Sequence, residues 1–208
     1  MSLDVRERAP ISSVQYFGFV DPSGGSADSM TLAVGHREED VVVVDAVRER
    51  RPPFSPEDVV AEFSELLKSY HISMIIGDRY AGEWPRERFR EHGVSYEPAE
   101  KPKSDLYRDM LPAINSRKIN LLDDARLLAQ LVGLERRTAR GGRDSIDHAP
   151  GAHDDIANAL AGLCDCTQHK YRYDSSLDWV RGPDDDFQRH RLSQHILQTG
   201  GYYRRLWR

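Results

Sequence analysis

The sequence predicts an α/β fold with a mixed central sheet flanked by helices, on three observations. Three apolar, partly β-branched runs come first and are joined by short turns, the pattern of an antiparallel meander. Helical periodicities then alternate with short apolar runs, as in strands laid parallel through helical crossovers. Carboxylates stand where two of the buried runs end, at Asp21 and Asp78, and again where a late helix begins, at Asp154 and Asp155.

Residues 1–13 are polar and read as a leader, 14–168 as the folded domain and 169–208 as a C-terminal tail extension. Tyr16–Val20 is the first expected strand. It ends in Asp21 and a Pro-Ser-Gly-Gly turn, after which Met30–Val34 returns. Asp40–Val47 is the third strand. Ser55 then offers a cap to a helix with Pro56 at its first position, and Val59, Phe63, Leu66 and Leu67 form its apolar face. His71–Ile76 follows a helix, so it is expected parallel to the first strand through a right-handed crossover. A short helix over Trp84–His92 and a strand over Val94–Tyr96 come next. Asp105–Ser116 is a helix with Pro112 as an internal irregularity. Lys118–Leu122 is a short strand, and Asp123–Leu131 another helix. Leu134–Thr138 and Asp144–His148 flank R-G-G-R as a hairpin. The last core helix runs from His153 to Thr167, and a further helix is expected over 185–198. Meander first, then alternating helices and strands, with acids after strands one and four and on a late helix, is the layout of the ribonuclease H-like fold. In that layout strands one and four are central neighbours, which brings Asp21 and Asp78 together.

At 208 residues the chain can bury a sizeable core as one domain. Its 39% hydrophobic and 30% charged residues are those of an ordinary water-soluble protein. No apolar run approaches the roughly 20 residues that cross a bilayer. The start, M-S-L-D-V-R-E-R, lacks the apolar stretch of a signal peptide, so a cytoplasmic location is expected. The net charge of −5 argues against coating nucleic acid through bulk charge, although local basic patches can still grip phosphates. Cys164 and Cys166 form a C-x-C in a helical pattern, with too few ligands nearby for a zinc site or a disulfide framework.

Asp21, Asp78 and Asp155 carry the chemical reading. Hydrolysis of a phosphodiester needs a nucleophilic hydroxide and a neutralised leaving oxygen, which two divalent ions about 3.5–4 Å apart supply. Mg²⁺ and Mn²⁺ take oxygen ligands, and carboxylates on rigid strands provide them. Taken singly, each Asp is a turn former or a helix cap; their joint placement at element edges favours a metal site. His153-Asp154-Asp155 opens a helix, where carboxylates are favoured by free N–H groups. Asp155 shares its side with Asn158 and Gly162, and spacing alone does not choose between the two acids. His153 is a candidate ligand or a surface residue. Ser23–Asp28 reads as a turn, with Asp28 a candidate auxiliary acid. Lys103 and the hairpin residues Arg136, Arg137, Arg140 and Arg143 are candidate phosphate contacts.

F-V-D-P-S-G-G-S-A-D-S, I-I-G-D-R-Y-A-G-E-W and the long stretch ending G-A-H-D-D-I-A-N-A-L-A-G together resemble the C-terminal nuclease domain of tailed-phage (prophage) large terminase subunits. The resemblance spans roughly residues 14–167. Its most specific parts are G-G-R-D-S-I-D-H and G-x-H-D-D-x-A-N-A. It implies a ribonuclease H-like domain that cuts double-stranded DNA with divalent metal. It carries Asp21, Asp78 and Asp155 over as ligands, with Asp154 and His153 beside them, and sets the late hairpin near the DNA path. It also implies a terminase ATPase, a small terminase subunit and a portal as possible partners in the cytoplasm of a bacterial host. A packaging motor would need a G-x-x-x-x-G-K-[S/T] loop, which the sequence does not contain. A nuclease module without its motor is therefore expected, be it an excised domain, a stand-alone gene or a prophage remnant. Three other readings compete: an actin- or sugar-kinase-like ATP-binding domain, a non-catalytic packaging assembly module, and another ribonuclease H-like nuclease such as a junction resolvase.

Overall fold

The computed structural model describes residues 4–138 and 144–168. Tyr16–Asp21 forms β1 and Met30–Glu38 forms β2, paired antiparallel from Tyr16↔His36 to Asp21↔Thr31. Val41–Arg50, β3, continues the meander, with a register shift between Val34 and Gly35. Met74–Gly77, β4, lies parallel to β1, and Ser95–Pro98, β5, lies parallel to β4. Ile119–Asn120, β6, lies parallel to β3. The sheet order is β5-β4-β1-β2-β3-β6, so the first and fourth strands are neighbours as expected. Leu134–Thr138 and Asp144–His148, β7 and β8, pair as a separate antiparallel hairpin. Its R-G-G-R turn, the tail from 169 and the helix expected at 185–198 lie outside the described residues.

Among the described residues five helices flank the sheet: α1 Pro56–Ser69, α2 Trp84–Glu91, α3 Lys103–Asn115, α4 Ala125–Val132 and α5 Asp155–Gln168. Ser55 caps α1 as predicted, accepting from the Asp58 N–H at 3.4 Å. β4 starts at Met74, where the apolar run had suggested His71. Residues 70–72 instead close α1: the His71 and Ile72 N–H groups donate to the carbonyls of Lys68 and Leu67, and His71 takes a left-handed φ of 58°. Among the described residues no helix is long and apolar enough to cross a membrane.

Strand alternation sends side chains to two cores. Val20, Leu32, Val34 and Ala46 pack with Val59, Phe63 and Leu67 of α1 and with Phe89 of α2. Phe19 points the other way, against α5. Asp21 has the parity of Phe19, so period 2 places its carboxylate on the α5 side. α5 is buried from Asp155 to Thr167, enclosed by the sheet, α3 and α4, which accounts for its run of Ala, Gly and Leu. The cysteines, Cys164 and Cys166, are free thiols in this buried helix. The first residues are tied down as well. The Arg8 N–H donates to the Asp45 carbonyl at 2.8 Å, the Tyr70 hydroxyl donates to the Arg8 carbonyl, and the Asp123 N–H donates to the Val5 carbonyl at 2.8 Å.

α5 approaches β1 closely at Gly162. A Cβ on Gly162 would stand 2.2 Å from the Phe19 ring. Helix propensity alone favours Ala over Gly by about 1 kcal/mol. Gly162→Ala is nevertheless expected to destabilise the protein, by about 1–3 kcal/mol from overpacking. Urea unfolding measures it, and a raised midpoint would contradict the close approach.

Candidate metal centre

The close packing of α5 on β1 joins residues from both ends of the domain. The Asn158 Nδ2 donates to the Asp21 carboxylate at 2.8 Å. Opposite Asp21 in the β1–β2 register stands Thr31, whose hydroxyl donates to the Asp155 carbonyl at 2.8 Å. The Ser29 N–H donates to the Asp155 carboxylate at 3.3 Å, and the Ser29 hydroxyl donates to Glu49 at 2.9 Å. Arg126 of α4 fixes Glu49 in turn, at 2.7 Å. The meander and α4 thus hold Asp155, directly through Thr31 and Ser29 and, behind Ser29, through Glu49 and Arg126.

Asp78 follows β4, one step beyond the Val20↔Gly77 pair, and its N–H donates to the Val20 carbonyl at 3.1 Å. Its carboxylate accepts from the Tyr80 N–H at 2.7 Å, and its carbonyl accepts from the Tyr96 hydroxyl at 2.9 Å. Gly77 makes room for that tyrosine, since a Cβ there would lie 2.3 Å from the hydroxyl.

Asp154 and Asp155 divide their tasks. A capping role for either carboxylate is pre-empted by Gln130 of α4, whose Oε1 accepts from the Ile156 and Ala157 N–H groups at 2.8 and 3.0 Å. Asp155 turns to the cleft on the side of Asp28 and His153. The His153 Nδ1 lies 3.8 Å from Asp28 and 4.0 Å from Asp155, and one ligand atom of each of the three falls within 4.8 Å of the others. Asp154 turns to α3. It accepts from the Tyr107 hydroxyl at 2.8 Å and pairs with the Lys103 ammonium at 3.1 Å. Lys103 also donates to Asp147 of β8 at 2.9 Å. Asp147, His148 and Asp154 have ligand spacing too, but an ammonium already stands among them.

Asp21, Asp28, Asp78, Asp154, Asp155, His153 and Lys103 therefore line one cleft of about 640 Å³. Arg136 and Arg137 stand on β7 and do not line it; Arg137 pairs with Glu135 at 3.0 Å. Arg140 and Arg143 lie outside the described residues. The turn reading of the Ser23–Asp28 glycines agrees with Gly25, whose φ is +80° and whose Cβ would meet the Phe54 carbonyl at 2.5 Å. Sequence reasoning did not assign roles to Asn158, Ser29, Tyr107, Gln130 or Asp147. Asn158 had a signal, a polar residue on the Asp155 side of an otherwise apolar helix. Gln130 and Ser29 act only through long-range packing and had none.

Burial pushes the Asp21 carboxyl up to about 8, and the nearby Asp78 and Asp155 push the same way against the hydrogen bond from Asn158. Burial also raises Asp155, reinforced by Asp28 and Asp154, while the Ser29 N–H and His153 oppose it. Lys103 is held above its ordinary value: burial alone would lower it, but Asp147 and Asp154 outweigh that. The donor set is oxygen-rich and crowded with negative charge, which fits a hard divalent cation. Among the described residues the buried Oδ1 of Asn158, in the same cleft, has no hydrogen-bond partner.

A raised carboxyl binds its proton more tightly in the folded state, so this group's contribution to stability is lost as pH rises from the unfolded value near 3.8 to about 8. Without metal, Asp21→Asn is expected to raise the melting temperature at pH 8 and to leave it nearly unchanged near pH 4. Mg²⁺ or Mn²⁺ should stabilise the wild type at pH 8 far more than the variant. Equal melting curves at both pH values would contradict the crowding.

No protein-family model and no curated protein matches the sequence. Solved structures do match it. The large terminase nuclease from thermophilic phage G20c is similar over 76% of this chain and 86% of its own, with a TM-score of 0.67 at 18% identity. The Thermus phage P74-26 large terminase nuclease domain matches over 78% and 85%, with a TM-score of 0.64 at 16% identity. The HK97 bacteriophage large terminase matches over 74% of this chain but 40% of its own, with a TM-score of 0.58 at 15% identity. The G20c nuclease is also known with bound magnesium, cobalt and zinc. A mixed sheet in the order β5-β4-β1-β2-β3-β6, with α5 packed across its centre, is thus the ribonuclease H-like fold in the form found in the nuclease domains of phage large terminases.

Proposed function

We propose that the chain is a divalent-metal-dependent endonuclease that hydrolyses phosphodiester bonds of double-stranded DNA, as in the cutting step of viral DNA packaging. The convergence of Asp21, Asp78 and Asp155 in one cleft, from three separate elements, carries the reading. The metals bound by the G20c nuclease support it. Two ions, Mg²⁺ or Mn²⁺, would fit the oxygen-rich donor set, and Asp21, Asp78 and Asp155 would hold them. Asp28 and His153 stand beside the Asp155 position and Asp154 beside Lys103. When bound, such ions supply the charge that activates water and neutralises the departing oxygen.

The chain's own residues prepare that chemistry. Asp21 gives up its proton as a cation enters, so metal binding releases acid and strengthens with pH. Asn158 and the Ser29 N–H fix which carboxylate oxygens face the cleft. Lys103 offsets part of the charge of Asp147 and Asp154, so that the cleft does not repel a phosphate with every acid it contains. An ATPase module, a small terminase subunit and a portal are the proposed partners. With a net charge of −5, the chain relies on such partners for much of its grip on duplex DNA.

Plasmid DNA incubated with the protein and Mn²⁺ or Mg²⁺ is expected to be nicked or linearised. EDTA or Asp21→Asn should abolish cutting. Asn158→Ala should retain it but need about tenfold more metal, as for loss of a group that orients a ligand. Metal-independent cutting, or full activity in Asp21→Asn, would remove the chemistry from this cleft.

A further inference from the structure

Asp78 is followed by Arg79-Tyr80-Ala81-Gly82-Glu83-Trp84, a loop that metal binding leaves without a task. Tyr80 is 76% exposed, yet it is held in place. Its N–H donates to the Asp78 carboxylate at 2.7 Å, and the Arg79 guanidinium lies 5.5 Å from its ring centroid. Arg79 is itself anchored by a 2.8 Å hydrogen bond to the Glu100 carbonyl. An accessible aromatic ring backed by a cation therefore stands at the cleft rim, two residues from a proposed ligand.

A second recess, of about 490 Å³, opens beside it, with Pro22, Pro56, Trp84 and Pro85 in its walls. Pro22, Ser23, Gly24 and Ala81 line both the recess and the acid cleft, so the two adjoin. A strand whose phosphate lies at Asp21 and Asp78 would pass Tyr80 on its way to the recess. Every nucleobase has a flat face that stacks on Tyr or Trp, and Arg adds to such stacking. In an intact duplex those faces are covered by neighbouring base pairs. The rim can use them only where a base has left its stack.

We infer that Tyr80, with the recess around Trp84, binds an unstacked nucleobase of the strand to be cut, so that the domain engages DNA that is locally unpaired. This rests on the nuclease reading of the acid cleft. A proline-rich peptide is the rival occupant for a groove of aromatic and proline side chains, but it would not account for the adjoining acids.

The test uses the full chain carrying Asp21→Asn, so that binding is read without cutting. Fluorescence anisotropy compares an intact duplex with the same duplex carrying a short central bubble, in Mg²⁺. The bubble is expected to bind at least tenfold tighter. Tyr80→Ala and Trp84→Ala should each erase that preference and Tyr80→Phe should keep it, with melting curves confirming that each variant folds. Equal affinity for the two DNAs, or a preference that survives Tyr80→Ala, overturns the inference; so does loss of binding to a polyproline peptide with DNA binding unchanged. Plasmid cutting by the wild type is scored separately. Cutting without a bubble preference sinks this inference alone, while absence of cutting and of DNA binding sinks the nuclease reading with it.

Discussion

The centre depends on one steric fact, the absence of a side chain at Gly162. It lets α5 settle onto Phe19 in the middle of the sheet. Only at that depth does the first turn of α5 reach β1 and β2, where Asn158 meets Asp21 and Thr31 meets the Asp155 carbonyl. The rest of α5 follows from the same demand. A helix enclosed by a sheet and two further helices has no polar face to offer, so it is built of alanine, leucine and other small residues. Its one buried acid beyond the first turn, Asp165, is matched by Lys101 at 2.7 Å.

Charge is distributed across the cleft with an evident asymmetry. On the α3 side Asp147 and Asp154 share an ammonium, and Tyr107 adds a hydroxyl. On the β1 side Asp21 has an amide for a hydrogen-bond partner and two more acids as neighbours. The first group is a hydrogen-bonded network in which one ammonium offsets part of the charge of two carboxylates. The second is left short of positive charge, a condition that favours either protonation or a cation from solution. A low-dielectric setting sharpens that choice, because burial penalises the charged carboxylate more than the neutral one.

Much of the fold was legible because it is written in short-range pattern. The β-branched run after Asp40, the Ser55-Pro56 cap and the alternation of helix and strand gave each of the described elements in its place and the meander with it. The boundaries that moved did so for local reasons, as where His71 completes the turn that ends α1. The acids of the centre were legible as well, since each lies at the edge of a buried run. Their second layer was not. Gln130, Glu49 and Arg126 act across α4, α5 and the meander, and no spacing within one segment announces a partner in another. Lys103 was read as a phosphate contact from its charge alone, whereas its two carboxylate partners come from β8 and the start of α5. The split between Asp154 and Asp155 was equally closed to inspection, because it turns on which neighbour caps the helix.

The hydrogen bonds that close the centre span 137 and 124 residues of sequence. β1 and β2 leave the ribosome before α5, the last described element to follow. While synthesis is under way Asp21 has neither its amide partner nor Asp155 beside it, however well the meander has formed. A chain cut short anywhere before α5 is in the same condition. A domain that threads its cleft between β1 and α5 thus lacks the assembled cleft until α5 has been made. For the endonuclease proposed above, an unfinished chain would then hold its acids without the partners that set them.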